Sequence, residues 1–341
     1  MYLIKKKKLL IMTVSLEETG RGHFVRSKNL YQFLKKKYFV NLVTIDKKNI
    51  KSKFNSKFFN KLNNLLKNNK IIILDLSNYL FFKKKFFINL FSLLKKFESK
   101  IVIIDSLNKD SILNYYNFLN PIMIYPYIMN KKSLFGLKYF NKTRKYLVGP
   151  KYFILNKNNN VKIYKRMIKK ILVSCGGSDK ENCTLKVIKF FSKYRNIFYL
   201  SCVIGPFFNK RSIYKIKNFI KSNKLKKNVK LLFNIKNLTS IFSNFGTVIS
   251  TSGLTKYEAA AYGIPNIVIT PNKFQLKHNF DFAKKKICLS IKSNDFVKRE
   301  KNIISFLNNF VLLKKMSKRS KNLIDFKGSE RIEKILISNF K

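Results

Sequence analysis

The sequence is most easily read from what it withholds. Among 341 residues there are only 16 acidic side chains, two histidines, four cysteines and six prolines. No stretch holds the 18 or so uninterrupted apolar residues that cross a bilayer, and the Leu9 to Val14 run is too short for the core of a signal peptide. Transmembrane and secreted readings drop out, and a cytoplasmic location is expected. Cys175, Cys183, Cys202 and Cys288 lack any paired spacing such as C-x-x-C. They indicate neither a zinc site nor a disulfide framework, and read as buried or half-buried thiols.

The shortage of acid leaves a formal charge of +56. Such a balance ordinarily suggests nucleic acid or a membrane surface. Only nine of the 72 basic residues are Arg, the side chain suited to bidentate phosphate recognition, and the lysines run along the whole chain. Lys, Asn, Ile and Phe are abundant together, as A/T-rich codons would give. We therefore expect no nucleic-acid partner and at most weak peripheral contact with membranes. A hydrophobic fraction of 46% supplies ample core, so global disorder is excluded.

What is present is a repeated alternation of strand and helix. Lys8 to Val14, Phe39 to Ile45, Ile71 to Leu76, Ile101 to Asp105 and Ile122 to Tyr125 read as strands. Helical spacing appears over Phe24 to Lys37, Phe54 to Leu66 and Phe86 to Phe97, the last read as core-facing rather than membrane-facing. The polar run Asn156 to Asn160 breaks the pattern. Beyond it come strands ending near Ser174, Ile204, Phe233, Thr251 and Thr270, with helices between them and a helical tail from Phe296. The fold class is α/β, with two Rossmann-like domains, 1–155 and 165–325, facing across a cleft; a segment at 326–341 can cross back to the first.

Three turns after strands carry candidate chemistry. Gly20-Arg-Gly-His23 lacks the third glycine of a dinucleotide fingerprint, since Val25 stands there. It instead puts His23 near a helix N-terminus, where a neutral imidazole can serve as a general base or simply pack. Gly176-Gly177 allows positive φ and close approach, with Asn182 or Thr184 as helix cap, and its amides suit an anion. In Ser250-Thr-Ser-Gly-Leu-Thr-Lys-Tyr-Glu258, Ser252, Gly253 and Thr255 open a helix. Glu258, one turn in, can accept bonds from paired hydroxyls or merely complement the helix dipole.

At these residues the chain resembles a known family. Gly20-Arg-Gly-His-Phe-Val-Arg26, Asp75, Ile103-Ile-Asp105, Leu147-Val-Gly-Pro-Lys-Tyr152 and Gly176-Gly-Ser-Asp179 stand in its order and spacing. So do Ile204-Gly-Pro206, Ser250 to Glu258, Gly263-Ile-Pro265, Gln275 and Asp325-x-x-Gly328-x-x-Arg331. They look like the UDP-sugar hydrolases of pseudaminic acid biosynthesis, which remove UDP from a 2,4-diacetamido-trideoxy-altrose. Those enzymes are relatives of the peptidoglycan GlcNAc transferases and share their GT-B fold, and the pieces fit that wider group almost as well.

The resemblance implies a role for each residue. His23 would activate water at the anomeric carbon, with Gly22 keeping it in place. Gly177, Ser178, Ser252 and Gly253 would hold the diphosphate, Glu258 the ribose, and Gln275 the sugar or phosphate. Arg26, Asp75 and Thr255 are implied as further substrate contacts. It implies a UDP-sugar substrate, no cofactor, no metal and a monomer. Departures from the pattern bear on the sugar: Leu76 and Ser77 follow Asp75 with Tyr79 displaced, and Asn156 lies near where an Arg is usual. Two alternatives stay open, a UDP-sugar-dependent GT-B glycosyltransferase of cell-envelope glycan synthesis and a basic nucleic-acid-binding protein.

Overall fold

The computed structural model describes residues 7–51, 55–106, 108–157, 169–235, 237–271 and 273–340. It divides into two compact units, residues 1–156 with 326–341 and residues 157–325. The polar stretch read as the boundary lies outside the described residues from 158 onward.

The first unit runs β1 (Lys8–Val14), α1 (Gly22–Leu34), β2 (Phe39–Ile45), α2 (Lys47–Lys51), α3 (Asn55–Asn68), β3 (Ile71–Asp75), α4 (Lys85–Lys95), β4 (Ile101–Ile104), β5 (Ile122–Tyr125) and β6 (Tyr146–Val148). Its six strands form a parallel sheet in the order β2-β1-β3-β4-β5-β6. β3 and β4 are buried at every position and read as unbroken apolar runs, because helices cover both faces of such a sheet. The amphipathic α4 turns Phe86, Phe87, Leu90, Phe91 and Leu94 into the core, as expected of a core-facing helix.

The second unit repeats the plan. β7 (Lys170–Ser174), α5 (Cys183–Phe191), β8 (Tyr199–Ile204), α6 (Lys210–Ser222), β9 (Val229–Phe233), β10 (Thr247–Ser250), α7 (Leu254–Ala261), β11 (Asn266–Thr270), α8 (Lys273–Lys284), β12 (Leu289–Lys292), α9 (Glu300–Asn308) and α10 (Phe310–Leu323) follow in turn. The parallel sheet has the order β12-β11-β10-β7-β8-β9. β6 and β12 are strands that hydrophobic periodicity does not reveal: one has three residues beside Gly149-Pro150, and the other is a half-buried edge of four.

A last helix, α11 (Gly328–Asn339), belongs to the first unit. Ile332 and Leu336 join the apolar cluster of Leu9, Ile11, Leu30, Ile73 and Val102. Glu333 pairs with Lys37 Nζ at 3.0 Å and accepts from Tyr38 Oη at 3.2 Å. The helix enters at Gly328, where an added Cβ would lie 2.2 Å from the carbonyl oxygen of Phe153. Backbone there cannot give way cheaply. Gly328→Ala is therefore expected to cost about 1–3 kcal/mol in chemical denaturation, whereas Gly136→Ala, with open space around its Cβ, should change stability by less than about 0.5 kcal/mol.

Candidate functional site

Each sheet reverses its strand order at one point, and within each unit residues singled out from the sequence lie by that point. In the first unit β1 is flanked by β2 on one side and β3 on the other, so the chain diverges between β1 and β3. The loop after β1 leads to His23, and β3 ends at Asp75, in register with Thr13 of β1. An α/β sheet opens a crevice for ligands beyond the carboxyl ends of its strands at such a switch.

The helix α1 begins at Gly22, two residues earlier than its hydrophobic spacing suggests, so His23 lies within the first turn rather than in the preceding loop. His23, Arg26 and Ser27 stand at i, i+3 and i+4, one face of the helix, and all three meet Asp75. His23 Nδ1 lies 2.5 Å from Asp75 Oδ1. Arg26 donates to both carboxylate oxygens, Nη2 to Oδ1 at 2.6 Å and Nε to Oδ2 at 2.9 Å, and Ser27 Oγ donates to Oδ2 at 3.0 Å. Arg26 Nη1 also donates to Tyr127 Oη at 2.7 Å.

Asp75 has no solvent exposure. Burial alone would raise its pKa, but the Arg26 guanidinium and the hydrogen bonds from Arg26 and His23 more than offset this and hold the carboxyl well below its usual range. An ionised carboxylate can only accept, so in a neutral His23 the proton belongs on Nδ1 and the lone pair on Nε2. The polar atoms of Arg26 and Asp75 are directed at each other and at His23, Ser27 and Tyr127, which pairs charges that would be too costly to leave unpaired at that depth. Ser27 and Tyr127 went unremarked in the sequence; the H-x-x-R-S spacing is the signal that finds Ser27.

A second buried carboxylate, Asp105, ties together the segments after β3 and β4 and the end of β5. It accepts from Ser77 Oγ at 2.6 Å, Ser111 Oγ at 2.7 Å, Tyr125 Oη at 2.9 Å and the amides of Ser106 and Ile112. Burial raises its pKa against those bonds. Asn156 bonds to Gln32 and Asn29 of α1.

In the second unit the reversal falls between β7 and β10, whose ends are in register at Ser174 and Ser250. The turns Gly176-Gly177 and Ser252-Gly253 thus stand side by side, with a Cβ on Gly176 only 3.8 Å from Thr251 Oγ1. Gly176 takes φ +89°. Gly205, after β8, closes the other side: a Cβ there would fall 2.5 Å from the Gly177 carbonyl oxygen. Gly177 and Ser178 are half-buried and Gly253 is exposed.

The start of α5 is not capped as expected. Asn182 is left-handed at φ +51° and accepts from Ser212 Oγ, making no cap bond, and Thr184 is already inside the helix. Asp179 does the capping, accepting from the amides of Cys183 at 2.7 Å and Thr184 at 2.9 Å. A carboxylate reaching back from a tight turn satisfies those amides better than a residue held left-handed at the cap position. The N-terminus of α5 is therefore occupied from within, whereas α7 starts at Gly253 with no side-chain cap.

Within α7, Thr255 is half-buried and Glu258 is 8% exposed, its carboxylate with no hydrogen-bond partner among the described residues. Burial pushes its carboxyl up to about 7. Beneath lies a polar layer: Ser250 Oγ donates to Asn266 Oδ1 at 3.1 Å, and Asn279 Nδ2 donates to Ser252 Oγ at 2.6 Å. Gln275 falls in α8, but its side chain lies outside the described residues.

No family model matches the chain. An uncharacterized protein of Methanocaldococcus jannaschii is 28% identical over 297 residues, covering 82% of this chain and 58% of that protein, so the chain spans about three fifths of that relative's length. Among solved structures, Acinetobacter baumannii MurG aligns over 97% of this chain and 99% of its own at TM-score 0.58 and 9% identity. The S. aureus MnaA–UDP structure aligns over 96% and 95% at TM-score 0.63 and 14% identity. Anabaena HepE in complex with UDP and glucose aligns over 97% and 100% at TM-score 0.65 and 9% identity. The fold is that of the GT-B glycosyltransferases.

Asp75→Asn leaves the Arg26 guanidinium buried without its counterion and should cost about 3–5 kcal/mol at neutral pH by denaturant titration. The sign of the pH dependence follows from a depressed carboxyl. Its contribution is full above the ordinary Asp range and is lost as pH falls through the lower folded value, so the variant should show a flatter acid limb than wild type.

Proposed function

We propose that the protein is a nucleotide-sugar hydrolase. It releases UDP from a UDP-2,4-diacetamido-trideoxy-hexose, as in pseudaminic-acid-type biosynthesis. The observation that carries this reading is the content of the two switch points. One presents a histidine held at Nδ1 by a buried aspartate; the other sets the Gly176-Gly177 turn beside Thr251, followed by the Ser252 hydroxyl and by Glu258 buried in the next helix. UDP in the S. aureus MnaA and Anabaena HepE structures, which share this fold, supports UDP as the ligand.

In the proposed reaction His23 Nε2 takes a proton from water as the water oxygen bonds to the anomeric carbon. The bond from that carbon to the β-phosphate oxygen breaks, and its electron pair leaves with UDP. Asp75 stabilises the imidazolium that forms, in the manner of a catalytic triad. Amides of Gly177 and Gly253 and the hydroxyls of Ser178 and Ser252 meet the charge growing on the leaving diphosphate, where preorganised donors lower a barrier most. Thr255 and Gln275 are assigned to substrate on the same reading, and Glu258 to the ribose hydroxyls.

The second reading is a GT-B glycosyltransferase, favoured by the names of neighbours such as the Rickettsia africae glycosyltransferase. A sugar hydroxyl would replace water against the same base. Release of UDP from UDP-sugar alone, across a panel of 2,4-diacetamido and GlcNAc donors, supports hydrolysis; release only on adding an acceptor supports transfer.

Two measurements test the assignments. His23→Asn should lower UDP release by about 10²–10⁴-fold and leave UDP affinity within a few-fold; normal turnover would place the base elsewhere. UDP affinity should also rise with pH through about 7, with proton release on binding. Ribose hydroxyls donate to the ionised form of Glu258, whose carboxyl is about half-protonated there when free. Calorimetry in buffers of different ionisation heat reads the proton directly, and Glu258→Ala should abolish its release.

A further inference from the structure

The motif of the proposed nucleotide site also holds a buried charge to which the proposed reaction gives no role. Lys256, two residues before Glu258, is 1% exposed, an unusual depth for a lysine. Its ammonium donates to Asn279 Oδ1 at 2.8 Å and lies over the rings of Tyr257 and Phe282 at 5.3 and 5.0 Å. Asn279 has no exposure at all. Its amide nitrogen donates to Ser252 Oγ at 2.6 Å and to Thr270 Oγ1 at 2.7 Å.

We infer that Lys256 is a positioning residue that sets the direction of the Ser252 hydroxyl, acting through the amide of Asn279 so that Ser252 donates outward to a phosphate. The inference rests on the reading of this turn as a diphosphate site. An asparagine amide is ambiguous by itself, since rotation by half a turn exchanges donor and acceptor at little steric cost. An ammonium has only donors, so Lys256 requires the carbonyl oxygen to face it. Both amide hydrogens then point to Ser252 and Thr270. The Ser252 oxygen receives one of them, and its own hydrogen must leave in another direction, toward the half-buried side of the turn.

Were the amide reversed, its oxygen would capture the serine proton, and the hydroxyl would meet a phosphate lone pair to lone pair. Burial pulls Lys256 down to about 8, which still leaves it charged at neutral pH. Holding a cation at that depth is unfavourable in itself, and fixing the polarity of a buried network is a service that a neutral apolar side chain could not supply.

Asn279→Asp is the decisive variant. It is isosteric, it gives Lys256 a counterion so that the fold is retained, and it can only accept, which turns the Ser252 proton inward. Binding of UDP and of uridine is measured for wild type, Asn279→Asp, Lys256→Met, Ser252→Ala and the Ser252→Ala/Asn279→Asp pair. The expected result is a loss of about 10–100-fold in UDP affinity for Asn279→Asp and Lys256→Met, the range of a charge-assisted hydrogen bond. Uridine, which has no phosphate, should bind within about twofold of wild type in both. In the Ser252→Ala background Asn279→Asp should add nothing, because it acts through that hydroxyl. Equal losses for UDP and uridine, or a loss that persists without Ser252, would overturn the relay while the nucleotide site stood. A wild-type protein that binds no UDP would overturn both.

Discussion

Asp75 is an ionised carboxylate with no access to water, and the first unit is arranged to make that tolerable. Desolvating a carboxylate costs several kcal/mol unless its lone pairs are met. Three residues on one face of α1 meet them, and the reach of an arginine, a histidine and a serine fixes how that helix lies over the end of β3. The same contact orients the imidazole. Stability and the tautomer of His23 therefore come from a single interaction, and neither can be altered without the other.

The second unit meets a different constraint. Its turns must bring backbone close to backbone, and three glycines permit it: Gly176 by its left-handed φ, Gly177 and Gly205 by mutual approach. Where a side chain could have competed for the site, the chain has withdrawn it. Asp179 turns inward to cap α5, Asn266 bonds to the Lys256 carbonyl under α7, and Asn279 holds the Ser252 hydroxyl from within.

Much of this was legible in the sequence because parallel strands buried on both faces are written as apolar runs, and both switch points follow such runs. His23, the glycine pair and Glu258 could each be singled out from their place after a strand, and Asp75 from the family resemblance. What the sequence did not disclose was pairing across distance. Nothing local says that Arg26 faces Asp75, 49 positions away, or that Asn279 reaches back 27 positions to Ser252. The Asp179 cap was missed for a related reason, since the preference for Asn at helix starts assumes an ordinary backbone, and Asn182 is left-handed. β6 and β12 escaped because three or four residues at a sheet edge need not be apolar.

The placement of α11 has a consequence for how the chain is made. The first unit is discontinuous, its final helix encoded after the whole of the second. A ribosome adding about 5–20 residues per second needs roughly 10–30 s to traverse the intervening segment. For that interval Leu30, Ile73 and their neighbours await Ile332 and Leu336, while the second unit, continuous in sequence, already has all its strands. Synthesis thus delivers the unit begun second in complete form before the unit begun first can close its apolar face.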